Sequence, residues 1–600
     1  MIITGKTTSA EVFTDNIEES ALEWVTQLCD HPAMVDIPII QMPDVHAGNY
    51  CNVGTAYPIG PYVNPDHVGV DIGCTISMHR LSVPVAPELF ELLDHRIREA
   101  IPTGNEICAK NSLNEKELFR FLNSQYQRAR SAAPDMINEA PRMDARFITD
   151  FCRRIKLQEG IFYKSFGTLG GGNHFIEYGE DAESGDGWLT IHCGSRNLGV
   201  KVANHWHNIA QNPKRARYIG FLWGDALNGY LSDMIIAQAY ALYNHHIIRD
   251  RIFTIFRKLC KAKCLESIFT IHNYISVTDE RPMLRKGAID ASKGRKMAIP
   301  FNMRDGIAIC FGKGNSQWLD TAPHGAGRIM SRAQAKKQID LKDFRQSMSG
   351  IFSTSVCEGT LDESPMAYKP TDEILEFIKP TVDVVSMIKP KLNIKDNGLM
   401  KKYIQITAGR GPVECARAVT LVTREVLKAI PGLQLTDSEP HNHVENCYMS
   451  LTLASSTDIP QSVIEAWQGT ILWRSTRNPY RPGHKRSNWF VGVNFFDEVE
   501  LPRINDADII YETCRSGGKG GQNVNKVETT VRAIHKPTGI SVRCSDQRSQ
   551  NQNKVLAHER LMLKLRRQND DAKAASKSAQ WSNHDSLERG NPVKKFSGPL

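Results

Sequence analysis

The sequence predicts a large mixed α/β domain followed by a smaller α+β unit. Three observations carry that expectation. In the first 396 residues, the glycine-rich, histidine-bearing turns GTLGGGNHF, IHCGSRNLG and PHGAGR interrupt apolar runs that read as strands. A Pro/Lys/Asn/Gly-rich stretch at 388–409, IKPKLNIKDNGLMKKYIQITAG, then leads into a new alternating segment, Tyr403-Ile404-Gln405-Ile406. Charge also divides the chain: residues 401–600 hold 29 Lys and Arg against 20 Asp and Glu, whereas residues 1–400 hold 45 against 46. The resulting partition is a first domain over 1–396, a junction at 397–402 and a second unit over 403–505. A glycine-rich region at 506–570 is inserted in that unit, and 571–600 form a loose basic tail.

Each element has its own signal. LSDMIIAQAYALYNHHIIRDRIFTIF keeps a helical period throughout, and ARAVTLVTREVLKAI is an amphipathic helix of the second unit. ETTVRAIHKPTGISVRC reads as a hairpin closed by Pro-Thr-Gly, and VLAHERLMLKLRRQ as a basic helix. With 41% hydrophobic and 23% charged residues, the composition is globular and excludes a disordered chain. No run approaches the roughly 18 apolar residues of a membrane span, and the start lacks a signal-peptide core. The expectation is a soluble cytoplasmic protein with no membrane partner. Its 14 cysteines stand singly along the chain, which favours free or metal-bound thiols over disulfides. The basic excess after residue 400 points to a polyanion, nucleic acid before others.

Five side chains suggest a metal centre. Asp71 and Cys74 share the tight turn HVGVDIGCTISM, and His174, His192 and His272 each follow an apolar or Gly-rich lead that would place them at strand ends. One thiolate, three imidazoles and a carboxylate suit a transition metal, and ligand type alone points to zinc. Five ligands exceed a closed four-coordinate site, so two ions sharing the thiolate are also indicated. The plain alternative is a set of buried core histidines beside an inert thiol. His324, in DTAPHGAGRIMSR, is flanked by Gly325, Gly327 and Arg328, which would let amides and a guanidinium approach a phosphate while the imidazole attacks it. Taken alone, the same motif is equally a helix cap.

MPDVHAGNYCNVG, VGVDIGC, FGTLGGGNHFIE, HCGSRNLG, IHNYIS, HGAGR and DESPMAYKP, in that order, resemble the RtcB family of RNA ligases over about residues 35–396. The resemblance implies the two-metal RtcB ligase fold, with GTP and two Mn2+ ions as cofactors. The reaction implied joins an RNA 3′-phosphate or 2′,3′-cyclic phosphate to a 5′-hydroxyl. Manganese then replaces zinc. Carried over residue by residue, Cys74 bridges both ions, His192 and His272 complete one, Asp71 and His174 complete the other, and His324 becomes guanylylated. Asn173, Glu177, Tyr368 and Lys395 fall at nucleotide-holding positions, Arg196 in a phosphate-facing motif, and Gly325, Gly327 and Arg328 beside the nucleophile. One departure is the segment IPFNMRDGIAI, residues 299–309, where the family has small residues near the nucleotide. Another is Lys395-Asp396 in place of a terminal Lys-Gly.

A second constellation lies in YETCRSGGKGGQNVNKVETTVRAIHKPTGISVRC. Gly517, Gly518, Gly520 and Gly521 free the backbone to enter a confined RNA site and present Gln522. A phosphate cradle is the competing reading, although no complete Walker pattern is present. ITAGRGPVECARAV, SGGKGGQNVNKVETTVRAIHKPTG and CSDQRSQNQNKVLAHERLMLKL resemble class I peptide-chain release factors over about 401–570. The short unit and the ending QWSNHDSLERGNPVKKF are similar to the PrfH group in particular. The resemblance implies that Gly520, Gly521 and Gln522 enter the peptidyl-transferase centre and promote hydrolysis of peptidyl-tRNA. Arg515, Lys519, Lys526, Arg548 and Lys554 would meet rRNA phosphates. No Ser-Pro-Phe or Pro-Ala-Thr tripeptide occurs; NPYRPGHKRSNWF stands there instead, with Arg481, Lys485, Arg486 and Trp489 offering cations and a stacking surface, or equally a buried tryptophan strand with surface cations. The fusion implies a codon-independent factor in the ribosomal A site, tied to an RNA ligase. Its expected task is to rescue and repair ribosomes whose small-subunit rRNA is cleaved in the decoding centre. The alternative is a general tRNA or RNA repair ligase with a separate hydrolysis activity on stalled ribosomes.

Overall fold

The computed structural model describes residues 1–600 apart from 49, 112, 139–140, 214–216, 280, 398–401, 431–432, 442–443, 456–458, 460, 498–508, 515–529, 537, 546–549, 551–552, 555–556, 559, 563 and 566–589. Two units result, Met1–Gly398 and Leu399–Leu600.

The first unit is built on a seven-stranded sheet. Its strands, in spatial order, are Lys296–Asn302, Gly306–Gly312, Val382–Lys395, Phe175–Asp181, Gly187–Cys193, Thr75–Leu81 and Cys264–Ile271. Every neighbouring pair is antiparallel, so the α/β expectation holds as a mixture of helices and sheets without a parallel core. Gly187–Cys193 has no polar alternation, and all seven of its residues are buried, as a strand covered on both faces requires. A second sheet, with one parallel pair, runs Ile2–Thr4, Ser9–Val12, Ile39–His46, Val53–Pro58, Met283–Lys286 and Asn273–Ser276. The expected long helix spans Gly224–Leu259. It buries residues around its whole circumference, which marks a core helix, and Asp225 near its start and Arg257 and Lys258 near its end complement its dipole.

The second unit holds a six-stranded sheet ordered Leu433–Pro440, Tyr448–Ser455, Lys402–Thr407, Asn488–Asp497, Gly469–Ser475 and Lys594–Gly598. The amphipathic helix Val413–Ala429 supplies Ala418, Val419, Val422 and Val426 to its core. A separate three-stranded sheet, Ile509–Cys514, Thr530–His535 and Ser541–Cys544, packs with Ala557, Leu561 and Leu565, spaced as one helical face. Its last two strands form the expected hairpin.

The tail departs from expectation. Residues 571–589 lie outside the described ones, but Lys594–Gly598 is a strand paired in parallel with Gly469–Ser475. Phe596 stacks on Trp467 and Trp473, and the Trp473 indole N–H donates to Gly598 O at 3.3 Å. Every described cysteine carries a free thiol, and no described helix is long and apolar enough to cross a membrane.

Candidate active site

The first unit's central sheet gathers the site on one face. Cross-strand register sets Phe175 opposite His192 and Lys395, and Glu177 opposite Thr190 and Asn393. Cys74 enters from the turn preceding Thr75–Leu81. Gly73 makes that turn at φ +74°, where a Cβ would sit 2.9 Å from the Gln238 Cα of the long helix. Backbone bonds from Gly73 N to Asn273 O and from His272 N to Cys74 O, 2.8 and 3.0 Å, fix Cys74 beside His272.

Two trios of donor atoms result, Cys74/His192/His272 and Asp71/Cys74/His174, sharing the thiol. Cys74 Sγ lies 3.1 Å from His192 Nε2 and 3.5 Å from His174 Nε2. His192 Nε2 lies 3.4 Å from His272 Nε2, and His174 Nε2 lies 3.1 Å from Asp71 Oδ2. His174 Nδ1 donates to Leu169 O and His192 Nδ1 to Asn173 O, both at 3.1 Å, so that whenever the rings are neutral each Nε2 lone pair points inward. Lone pairs, a thiol sulfur and a carboxylate this close repel one another unless a cation lies among them. The donor set therefore fits metal ions. Burial, with Asp71 adding to it, pushes the Cys74 thiol well up. Burial and the neighbouring imidazoles hold His192 and His272 well down. Burial would raise Asp71, but the His174 charge and hydrogen bond outweigh it and hold the carboxyl below its usual range. Metal loading would thus expel the thiol proton.

His324 follows the strand Thr321–Pro323, its ring centroid 5.1 Å from that of His272. Its Nδ1 lies 2.7 Å from Oδ2 of Asp44, a fully buried carboxylate on Ile39–His46. With Nδ1–H held there, Nε2 keeps a free lone pair. Gly327, at φ +73°, allows the contact because a Cβ would stand 2.4 Å from Asp44 O.

The residues read as nucleotide contacts form a second cluster. Glu177 Oε2 accepts from Asn393 Nδ2 at 2.8 Å, while Oε1 is buried with no partner. Burial pushes this carboxyl up to about 8 against the opposing pull of Asn393 and Lys395. Lys395 Nζ and Tyr368 Oη each lie 2.9 Å from Glu363 Oε2, and Arg332 Nη1 is 2.5 Å from Oε1. Arg328 Nη1 reaches Tyr368 Oη at 3.2 Å. Burial would raise Glu363, yet Lys395, Arg332 and Arg328 hold it well below the usual carboxylate range. Arg196 donates to Thr168 Oγ1 and Gly104 O and lines, with Asp71 and His174, a cavity of about 440 Å3 walled by Val70, Ile107 and Val200. Asn173 is exposed, and its carbonyl meets the ring of His192 and none of the Glu177 or Glu363 groups. Gly325 packs under Pro300 O. The departing segment satisfies itself: Asn302 bonds Asp305 and the amides of Arg304 and Asp305, and Met303 is buried.

Three functional candidates escaped sequence reasoning. Asp44 and Glu363 lie inside quoted motifs, PDVH and DESP, where a lone carboxylate carries no signal of its own. Half-buried Lys286, whose Nζ donates to Val68 O at 3.1 Å, faces Cys51, Asp71 and Cys74, and its desolvation lowers its pKa.

In the second unit, Trp489 is fully buried on the strand Asn488–Asp497 and cannot stack a base, so of its two readings the buried tryptophan strand with surface cations is the one the structure bears out. Arg481 is tied by Nε and Nη2 to buried Glu414 at 2.5 and 2.8 Å, and it packs on Trp489 with Arg486, which removes it too from the free cations. Lys485 and Arg486 remain exposed on this loop, as does Lys554 over the Tyr511 ring. Gly520, Gly521 and Gln522, with Arg515, Lys519, Lys526 and Arg548, lie outside the described residues.

A family model described as tRNA-splicing ligase RtcB matches residues 25–396, and one described as RF-1 domain matches 497–596. RNA-splicing ligase RtcB of Escherichia coli is 28% identical over 368 residues, covering 56% of this chain and 85% of that protein. tRNA-splicing ligase RtcB of Pyrobaculum aerophilum is 26% identical over 402 residues, covering 56% and 83%. A peptide chain release factor homolog of Escherichia coli is 37% identical over 199 residues, covering 32% of this chain and 96% of that protein. Among solved structures, RF2 of Thermus thermophilus matches 33% of this chain and 58% of its own at 22% identity, with a TM-score of 0.17, which bears no weight on the fold. Together these findings define an RNA ligase joined to a release-factor module. The chain belongs to the RtcB family through its first unit and carries a peptide chain release factor homologue fused behind it.

Proposed function

We propose that the first unit is a GTP- and Mn2+-dependent ligase that joins an RNA 3′-phosphate or 2′,3′-cyclic phosphate to a 5′-hydroxyl. The observation that carries this reading is the pair of donor trios sharing Cys74, with His324 beside His272. Asp71, Cys74, His174, His192 and His272 would hold two manganese ions, which when bound neutralise phosphate charge and polarise phosphorus–oxygen bonds. Asp44 keeps the Nδ1 proton on His324, so Nε2 attacks the α-phosphorus of GTP. A nitrogen–phosphorus bond forms, the bond to the bridging oxygen breaks, and pyrophosphate leaves. The RNA 3′-phosphate then takes GMP from His324, and the 5′-hydroxyl attacks that activated end with GMP departing. Glu177 Oε1, buried without a partner, would accept the base N–H groups of guanine, Lys395 and Arg328 would face its phosphates, and Arg196 would face the RNA.

The second unit, on this reading, enters the ribosomal A site without reading a codon, and Gly520, Gly521 and Gln522 promote peptidyl-tRNA hydrolysis. The fusion supports repair of ribosomes cut in the decoding centre; the relatives named as tRNA-splicing ligases keep a general tRNA ligase as the second reading. A sealing assay with GTP and Mn2+ separates them. The intact chain is given a ribosome nicked in the decoding centre, the same nicked fragment free in solution, and a nicked tRNA. Strong preference for the ribosome supports repair, and equal sealing of all three overturns it.

A further inference from the structure

Lys369 stands in the motif DESPMAYKP, but among the described residues its side chain hydrogen-bonds to none of the side chains discussed so far. It is buried, and its Nζ donates to three carbonyls: Pro43 O at 2.8 Å, Asn16 O at 3.0 Å and Val45 O at 3.3 Å. Pro43 and Val45 flank Asp44. The Lys369 backbone N–H meanwhile donates to Gly327 O at 3.1 Å, and Ile329 N donates to Ala367 O at 3.0 Å. One residue thus grips both partners of the Asp44–His324 hydrogen bond. Its side chain holds the strand that presents the carboxylate, and its main chain holds the loop that presents the imidazole.

A brace alone would need only donors, which an amide supplies. A buried ammonium costs several kcal/mol unless a negative charge compensates it. Among the described residues no carboxylate touches Nζ directly; the acidic groups facing it are Asp44, then Glu373 and Glu18. Asp44 is itself fully buried, with His324 its sole ion-pair partner among the described residues. The two buried charges offset each other across the peptide groups between them.

We infer that Lys369 is a positioning residue for the nucleophile: it fixes the peptides around Asp44 and balances its carboxylate, and so holds His324 with Nε2 free to attack. This rests on the reading of His324 as the nucleotide-accepting group.

The test is single-turnover transfer of label from α-labelled GTP to the full chain with Mn2+, for wild type, Lys369→Met and Lys369→Arg, each also in an Asp44→Asn background. Lys369→Met is expected to slow the step at saturating GTP at least tenfold while the apparent KM stays within twofold. Lys369→Arg is expected to recover most of the rate. In the Asp44→Asn background, Lys369→Met should change the rate less than twofold, because the residue acts through Asp44. A wild-type rate in a folded Lys369→Met protein, or an equal loss in both backgrounds, overturns the inference. Should Lys369→Met fail to fold, Lys369→Gln replaces it under the same criteria. The underlying reading fails separately, if wild type takes no label or if His324→Ala still takes it.

Discussion

Replacing Glu177 by Gln should make the first unit more stable, and only above a particular pH. The carboxyl is pushed from an ordinary 4.5 up to about 8, first by burial, while Asn393 and Lys395 oppose the rise. The fold therefore favours the protonated form. Its full contribution is present below pH 4.5 and is withdrawn as pH climbs toward 8, because the unfolded chain ionises freely while the folded one does not. At about 1.36 kcal/mol per pH unit, the interval amounts to about 5 kcal/mol at its upper bound, and roughly 3 kcal/mol is already lost at pH 7. Glutamine keeps the bond from Asn393 and cannot ionise. Denaturant unfolding of both proteins without nucleotide, from pH 5 to 9, should give stabilities within about 1 kcal/mol of each other at pH 5. The curves should diverge up to about pH 8 and run parallel beyond. GTP affinity should move oppositely: wild type gains about fivefold between pH 7 and 8 as the carboxylate form is populated, while the variant, presenting an N–H₂ to guanine N–H groups, binds at least about a hundredfold more weakly. Stability curves that stay parallel across the whole range would refute the buried, protonated carboxyl and with it the pH-dependent pocket.

Asp44→Asn should leave GTP binding within about twofold but slow transfer of GMP to His324 by roughly 100-fold or more, since an amide no longer selects the Nδ1–H tautomer; label transfer in a single turnover reads it. Cys74→Ala should reduce bound manganese, measured by metal analysis, and abolish labelling of His324, while ribosome-dependent peptide release by the same chain persists. Glu363→Gln leaves Lys395, Arg328 and Arg332 crowded without their carboxylate and should cost about 3 kcal/mol in the first unfolding transition, measured by guanidinium titration at pH 7.

The candidate metal donors were legible because thiols and imidazoles in tight Gly-rich turns have few other reasons to recur, and the structure brings all five of the residues so singled out together. Asp44 and Glu363 were not legible for a physical reason: a carboxylate's meaning lies in what it meets. Asp44 meets His324 across 280 residues of sequence, and Glu363 meets Lys395 across 32. Trp489 left two readings open. The cations just before it in sequence offered an RNA-stacking surface, but Arg481 and Arg486 pack on a ring already sealed in the core, and Arg481 pairs its charge with Glu414. The strand Lys594–Gly598 was hidden by its two lysines, which read as tail, while Phe596 alone carries the apolar contact to Trp467 and Trp473. In each case the tertiary partner decided what the side chain did.

The charge division bears on how a fused chain would handle RNA. The first 400 residues are nearly neutral overall, and three of the cations at its site, Arg328, Arg332 and Lys395, are compensated by Glu363 and Asp362. Such a unit can orient a phosphate at close range but gathers little long-range attraction for a polyanion. The excess cations belong to the second unit, where Lys485, Arg486 and Lys554 stay exposed. On the proposed reading, affinity for RNA is then carried by one unit and chemistry by the other. Covalent linkage turns the second encounter into an intramolecular one at a high effective concentration. Salt weakens phosphate contacts because each counterion released into a saltier solution gains less entropy, so on this reading capture of a ribosomal nick depends steeply on ionic strength while nucleotide transfer to His324, enclosed beside the candidate metal donors, does not. A ligase that supplied its own RNA affinity would gain nothing from the fusion; one that is nearly neutral gains its substrate.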